Sequence, residues 1–142
     1  MFKVKSQIEF DMAHYLSGYD GKCSNIHGHR YKLIVSVKSE TLHQEGQLRG
    51  MVDDFGNIKA KLKEIEDLYD HKLVIEDNED GRLVAQKLSE LPNAFKVMLV
   101  PYRPTAEEMS RDIFYKLKDM DLNVSEVELF ETPTNSCTYS ED

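Results

Sequence analysis

Several features that mark common protein classes are missing from this sequence. Its 142 residues contain only two cysteines, Cys23 and Cys137, too few for a disulfide framework. No apolar run approaches the roughly 20 residues of a membrane span. The N-terminal segment alternates apolar and polar residues and has no apolar core of the kind a signal peptide needs. We therefore expect a cytoplasmic protein with free thiols and no membrane partner.

An excess of positive charge is also missing. Acidic residues number 26 and basic residues 18, which gives a net charge of −8. General nucleic-acid binding needs a basic face, so we expect no nucleic-acid partner. The chain has neither an internal repeat nor a Gly-rich dinucleotide fingerprint. Its length suits one domain, and we expect residues 1–142 to form a single domain.

Hydrophobic periodicity predicts an α+β fold. Apolar residues at even positions between Phe2 and Met12 predict a strand, and those between Tyr31 and Val37 predict a second one. Further spacing predicts helices over 55–68, near 81–90 and from Thr105 onward, and strands near 95–99 and 124–131. The order β-β-α-α-β-α-β favours a mostly antiparallel sheet with helices on one face.

Three histidines fall in register with these strands. His14 continues the buried row of the first strand, and His27 and His29 extend the apolar face of the second strand backwards. If the strands pair, the three imidazoles gather at one end of the sheet. Three neutral imidazoles suit zinc and leave a fourth position open, as in catalytic sites. The alternative is that the two paired histidines form a polar turn entering the strand.

Other polar residues allow more than one interpretation. Cys23, four residues before His27, can be a fourth zinc ligand, a catalytic thiol or an inert loop residue. Asp70 and His71 follow the first helix and can form a proton shuttle or a solvated helix end. Glu131 ends the last strand, where its carboxylate can accept two parallel hydrogen bonds from a guanine-like or pterin-like ring, or can simply be exposed.

These residues occur together in one order across residues 8–139. The motifs are His14, Cys23-x-x-x-His27-Gly28-His29, Asp54-Phe55, Asp70-His71, Pro104-Thr105-Ala106-Glu107 and Glu131-Thr132. The set resembles the family of the 6-pyruvoyl-tetrahydropterin and 6-carboxytetrahydropterin synthases. The resemblance implies the tunnelling fold (T-fold), in which subunits join their sheets into a barrel. It also implies a homohexamer of two stacked trimers with active sites at subunit interfaces.

The same resemblance implies a role for each matching residue. One zinc ion per subunit would lie on His14, His27 and His29. Cys23 would be the general base, and Asp70 with His71 the proton relay, contributed by a neighbouring subunit. Glu131 would hold the pterin ring and contribute to the charge relay. Thr105 and Glu107 would line the pterin pocket.

The implied substrate is 7,8-dihydroneopterin triphosphate. The compact spacing between Cys23 and His27 resembles the carboxy-forming branch, lyases that release triphosphate and acetaldehyde on the route to queuosine. The pyruvoyl-forming branch is the alternative. Lys22, Arg30 and Lys72 are candidates, by position only, for the triphosphate. Two other classes stay open: a zinc hydrolase, which leaves Cys23 without a role, and a zinc-stabilised interaction module, in which Cys23 closes the metal site.

Overall fold

A computed structural model describes residues 1–141. Those residues form a six-stranded sheet in the spatial order β4-β3-β1-β2-β5-β6, together with three α-helices. The strands are β1 (Phe2–His14), β2 (His27–Ser39), β3 (Leu73–Glu76), β4 (Val97–Val100), β5 (Val124–Thr132) and β6 (Asn135–Ser140). The helices are α1 (Phe55–Tyr69), α2 (Glu79–Ser89) and α3 (Ala106–Asp119). None of these helices is both long and apolar enough to cross a membrane.

Strands β1 and β2 form the longest ladder of the sheet. They pair antiparallel without a register shift, from Phe2 opposite Ser39 to His14 opposite His27. The apolar rows predicted from the sequence face the core, where Phe10 and Tyr31 stack with their ring centroids 5.4 Å apart. Because the register is regular, the predicted buried rows continue to the ends of both strands, where the histidines lie.

Helices α1 and α3 cover one face of the sheet. Their fully buried residues repeat at helical spacing and pack into one core: Ile58, Leu62, Ile65, Met109, Ile113 and Leu117. Asp54 caps α1 by accepting from the Gly56 N–H at 2.7 Å, and Thr105 caps α3. Phe55, assigned by its spacing to the same stripe, is instead 57% exposed. It is the first residue of α1 and lines a surface cavity with Phe2.

Helix α2 packs against the opposite face. Val74 of β3 belongs to the core under α1 and α3, whereas its neighbour Ile75 is buried close to Gly81 of α2. Successive strand residues point to opposite faces, so α2 cannot share the face of the other two helices. The prediction of helices on one face therefore holds for two of the three. The crossovers β3-α2-β4 and β4-α3-β5 join parallel strands and run in opposite directions along the sheet. Crossovers of this kind are almost always right-handed, and that hand places the two helices on opposite faces.

The α+β class is confirmed, with two strands more than the predicted order. Strand β3 has four residues and pairs in parallel with β1 and β4, which makes the sheet mixed. Strand β6 pairs with β5 although its sequence is mostly polar. Neither strand has a long alternating pattern. Backbone hydrogen bonds to neighbouring strands hold both of them in the sheet. Strand β6 pairs with β5, which directly precedes it, whereas β3 pairs with β1, which is distant in sequence.

Candidate metal and substrate site

The buried rows of three neighbouring strands end in polar side chains at the same end of the core. His14 follows Met12 on β1, His29 and His27 precede Tyr31 on β2, and Glu131 follows Leu129 on β5. One ligand atom from each of the four polar residues lies within 4.8 Å of all the others. The predicted convergence of the three histidines is therefore present, and the carboxylate of Glu131 joins them.

The ring orientations fit a metal ion. His14 donates from Nδ1 to the carbonyl of Pro104 at 2.8 Å, and His27 donates from Nδ1 to the carbonyl of Asn25 at 2.7 Å. A neutral imidazole carries one N–H, so each Nε2 presents a lone pair to the cluster. Within residues 1–141, the buried Nε2 atoms of His27 and His29 have no hydrogen-bond partner. A divalent cation bound by these nitrogens satisfies them.

The charge states of the four residues also suit a divalent cation. The close approach of His14, 3.1 Å from the carboxylate, lowers the pKa of Glu131, although burial acts in the opposite direction. Burial lowers the pKa of His29. Both shifts favour the forms that bind metal, a carboxylate and a neutral imidazole. Beneath the cluster, burial raises the pKa of Tyr31, so its hydroxyl stays protonated 3.4 Å from His14 Nδ1.

Cys23 lies beside the cluster in sequence and outside it in space. It belongs to a short 3-10 helix, Lys22–Ser24, and is half-buried. Its carbonyl accepts from the Leu16 N–H at 2.7 Å, which ties the turn to the chain that leaves β1. The four grouped ligands found among residues 1–141 include no sulfur. The structure thus gives no support to Cys23 as a fourth ligand.

Asp70 and His71 form a hydrogen-bonded pair that is not among the four grouped ligands. Asp70 accepts from the Asp11 N–H at 2.9 Å through Oδ1 and pairs with His71 Nδ1 at 2.8 Å through Oδ2. The backbone hydrogen bond from Asp11 is the main cause of the lowered pKa of Asp70. The His71 side chain is 79% exposed. It lines a cavity of about 680 Å³ with His29 and Lys72.

Thr105 and Glu107 lie at the start of α3. The hydroxyl oxygen of Thr105 accepts from the Glu108 N–H at 3.2 Å as the helix cap. Glu107 lines a cavity of about 400 Å³ with Glu131, so the two predicted substrate carboxylates share one space. Cys137 of β6 lines the same cavity. The sequence alone gave Cys137 no role, since it lies near the C-terminus after the last predicted strand.

Two carbonyl groups that orient the histidines were also missed. Pro104 and Asn25 act through their backbones, which no residue type reveals. A signal did exist for Pro104, because it stands in the Pro-Thr-Ala-Glu motif. Its loop is fixed by Arg103, which donates to the Ser17 carbonyl at 2.7 Å.

The sheet, its helices and the histidine cluster define a T-fold protein with a candidate metal site. A solved structure of an uncharacterised protein from Wolinella succinogenes matches with a TM-score of 0.83 at 18% identity, covering 99% of this chain and 98% of the other. The 6-pyruvoyl tetrahydropterin synthase of Caenorhabditis elegans matches with a TM-score of 0.69 at 24% identity, covering 99% and 96%. At these identities the likeness shows the fold.

Sequence comparison identifies the family. Residues 3–142 match the family described as 6-pyruvoyl tetrahydropterin synthase, and the chain belongs to it. A relative from Haemophilus influenzae, named 6-carboxy-5,6,7,8-tetrahydropterin synthase, is 44% identical and covers 99% of this chain and 100% of its own. A relative of the same name from Rickettsia bellii is 34% identical, with coverages of 94% and 96%.

Proposed function

We propose that this protein is a zinc-dependent 6-carboxy-5,6,7,8-tetrahydropterin synthase acting on 7,8-dihydroneopterin triphosphate. The convergence of His14, His27, His29 and Glu131 carries the proposal, on a chain 44% identical to a relative of that name. The products are 6-carboxytetrahydropterin, triphosphate and acetaldehyde, and the atoms balance when one water is consumed. Two hydrogens move from the substrate side chain to the ring, so the reaction needs no external reductant.

Each residue of the site then has a defined task. The three histidines would hold the metal. When bound, the metal would supply Lewis-acid stabilisation of negative charge on the substrate side chain. The thiolate of Cys23 removes a proton from that side chain. His71, held by Asp70 at 2.8 Å, returns a proton elsewhere on the substrate.

The pterin ring belongs in the cavity shared by Glu107 and Glu131. Glu131 accepts from a ring N–H and from the exocyclic amine, and both bonds are charge-assisted. The Thr105 oxygen already accepts the helix-capping hydrogen bond, so its O–H remains to donate to a ring acceptor. Together these groups fix the orientation of the ring relative to the metal.

The position of Asp70 and His71 supports an oligomeric enzyme. Asp70 and His71 are not among the four grouped ligands of their own chain, and the His71 side chain is 79% exposed; we propose that the pair serves a neighbouring subunit in a homohexamer of two trimers. Lys72 and Arg30 line the cavity that contains His71 and are placed to meet the triphosphate. Arg30 is already paired with Glu9 and Asp11. The proposed enzyme is a single cytoplasmic domain over residues 1–142.

Product analysis tests the proposal. Zinc-loaded protein is incubated with 7,8-dihydroneopterin triphosphate, and pterins and acetaldehyde are followed by mass spectrometry. We expect a 6-carboxy product together with acetaldehyde. A 6-pyruvoyl product without acetaldehyde would assign the protein instead to the 6-pyruvoyl tetrahydropterin synthases, the activity by which the family is described. Absence of both products with intact zinc would contradict the substrate assignment.

The variant Cys23→Ser distinguishes a synthase from a zinc hydrolase. In a synthase it removes the general base and should lower turnover at least about 100-fold. In a zinc hydrolase it should leave activity nearly intact, because the thiol has no part in activating water.

A further inference from the structure

The carboxylate of Glu131 lies at the spacing of a metal ligand. Its Oε1 is 3.1 Å from His14 Nε2 and 3.2 Å from His29 Nε2. A tetrahedral ion with bonds of roughly 2.0–2.1 Å separates its ligand atoms by about 3.3 Å. The β5–β6 register shifts between Phe130 and Thr132, so Glu131 lies where the ladder is locally irregular. The carboxylate therefore occupies the position expected of a fourth ligand.

Hydrogen bonding alone does not explain these contacts. The Nδ1 proton of His14 goes to Pro104, so the Nε2 of a neutral ring faces Glu131 with a lone pair. The contact with His29 lacks hydrogen-bond geometry, because His29 Nε2 has no such partner among the described residues. A single added proton on His14 Nε2 would make that contact a hydrogen bond and would leave the Nε2 atoms of His29 and His27 without a partner. A cation bound between the four groups gives every one of these atoms a partner.

Glu131 is also more exposed than two of the three histidines. Its side chain is 30% exposed, against 1% for His14 and 21% for His29. It lines the cavity shared with Glu107 and a second cavity of about 420 Å³ beside Pro133. The two tasks of this carboxylate compete, since accepting two parallel hydrogen bonds from a pterin engages both oxygens and weakens the bond that either oxygen can make to a metal.

We infer that Glu131 is an exchangeable fourth metal ligand, which closes the coordination position in the resting protein and leaves it when a pterin ring binds. The inference rests on the proposed function, because it takes the pterin ring as the competing partner. It makes Glu131 a specificity-determining residue. A ligand without the paired ring donors cannot draw the carboxylate away, so it meets a closed metal site.

Cobalt substitution tests the inference without turnover, because the visible bands of Co²⁺ report its coordination and imidazole sites accept it. Wild type, Glu131→Gln and Glu128→Gln are compared in the resting state. Glu128 is the matched control, since it lies on the same strand and bonds Ser136 outside the cluster. We expect a changed spectrum and at least about tenfold weaker zinc binding for Glu131→Gln only. Identical spectra and affinities for wild type and Glu131→Gln would overturn the inference.

The exchange step needs a probe that cannot reach the metal. Unsubstituted pterin has the paired ring donors and no side chain, and its binding is followed by its own fluorescence. We expect it to change the cobalt spectrum of wild type and not that of Glu131→Gln. Binding with no change in the wild-type spectrum would overturn the exchange. Product formation is measured separately, so failure of the proposed synthase activity and failure of this inference are distinguishable.

Discussion

Gly81→Ala is expected to disrupt the packing of α2 against β3. Gly81 is the third residue of α2, and its N–H donates to Asn78 Oδ1 at 2.7 Å. A Cβ atom built there would lie 2.1 Å from the Glu76 carbonyl oxygen and 2.9 Å from Ile75 Cγ2. Real Cβ contacts essentially never fall below 3.0 Å, so α2 must move by roughly 1 Å. The obstacle is backbone, which cannot rotate away as a side chain does.

The size of the effect follows from three contributions. Overpacking costs typically about 1–3 kcal/mol. Disturbing the Asn78 cap adds about 1 kcal/mol. Alanine recovers about 0.5–1 kcal/mol because it is the better helix former. We expect a net loss of about 1–3.5 kcal/mol in the free energy of unfolding, measured as a lower urea midpoint at an unchanged slope.

Gly28→Ala is the matched control. A Cβ atom there meets nothing nearer than the Met12 carbonyl oxygen at 3.5 Å, an ordinary contact. Its stability should stay within about 0.5 kcal/mol of the wild type. A Gly81→Ala variant as stable as wild type would refute the reasoning, because α2 could then not lie against β3 at the described distance.

Three further changes test the site and its supports. His27→Ala removes a ligand with no other task, so we expect stoichiometric zinc to be lost in metal analysis while far-UV circular dichroism is kept. Tyr102→Phe removes a donor 2.7 Å from Asp112 and should cost about 1–2 kcal/mol in urea unfolding, because the half-buried Asp112 loses its shorter tyrosine hydrogen bond and keeps Tyr69 at 3.2 Å and Lys116 at 2.6 Å; a neutral result would contradict this. The folded pKa of Asp70 lies below its ordinary value of 3.8, so its ionised form stabilises the fold above about pH 4 and that stabilisation is lost as pH falls through the folded pKa. Stability of Asp70→Asn should therefore decline less below about pH 4 than that of wild type, and equal declines would show that Asp70 contributes nothing.

Long alternating rows made most of the fold predictable from sequence. The buried faces of β1 and β2 and the core stripes of α1 and α3 follow directly from their apolar spacing. Phe55 shows where spacing misleads, because a residue in the first turn of a helix can match the stripe and still lie beyond the core. Strands β3 and β6 were not predictable, since one is four residues long and the other is mostly polar.

The histidine triad was predictable because strand geometry is strict. A period of two places His27 and His29 on one face, and the buried register of β1 carries His14 to the same end. Three imidazoles at one end of a sheet then make a metal ion the expected ligand. The motif order was specific enough to indicate the family, which the comparisons confirm.

Only the tertiary structure decided how the other groups stand around that triad. Glu131 meets His14 and His29 because β5 pairs with β2 at a register that no local pattern reveals. The carbonyl of Pro104 orients His14 across 90 positions of sequence. Local periodicity determines which face a side chain takes, because that depends only on backbone geometry. Contacts between distant segments depend on the packing of the whole chain, so the fourth group of the candidate metal site is defined only by the complete sheet.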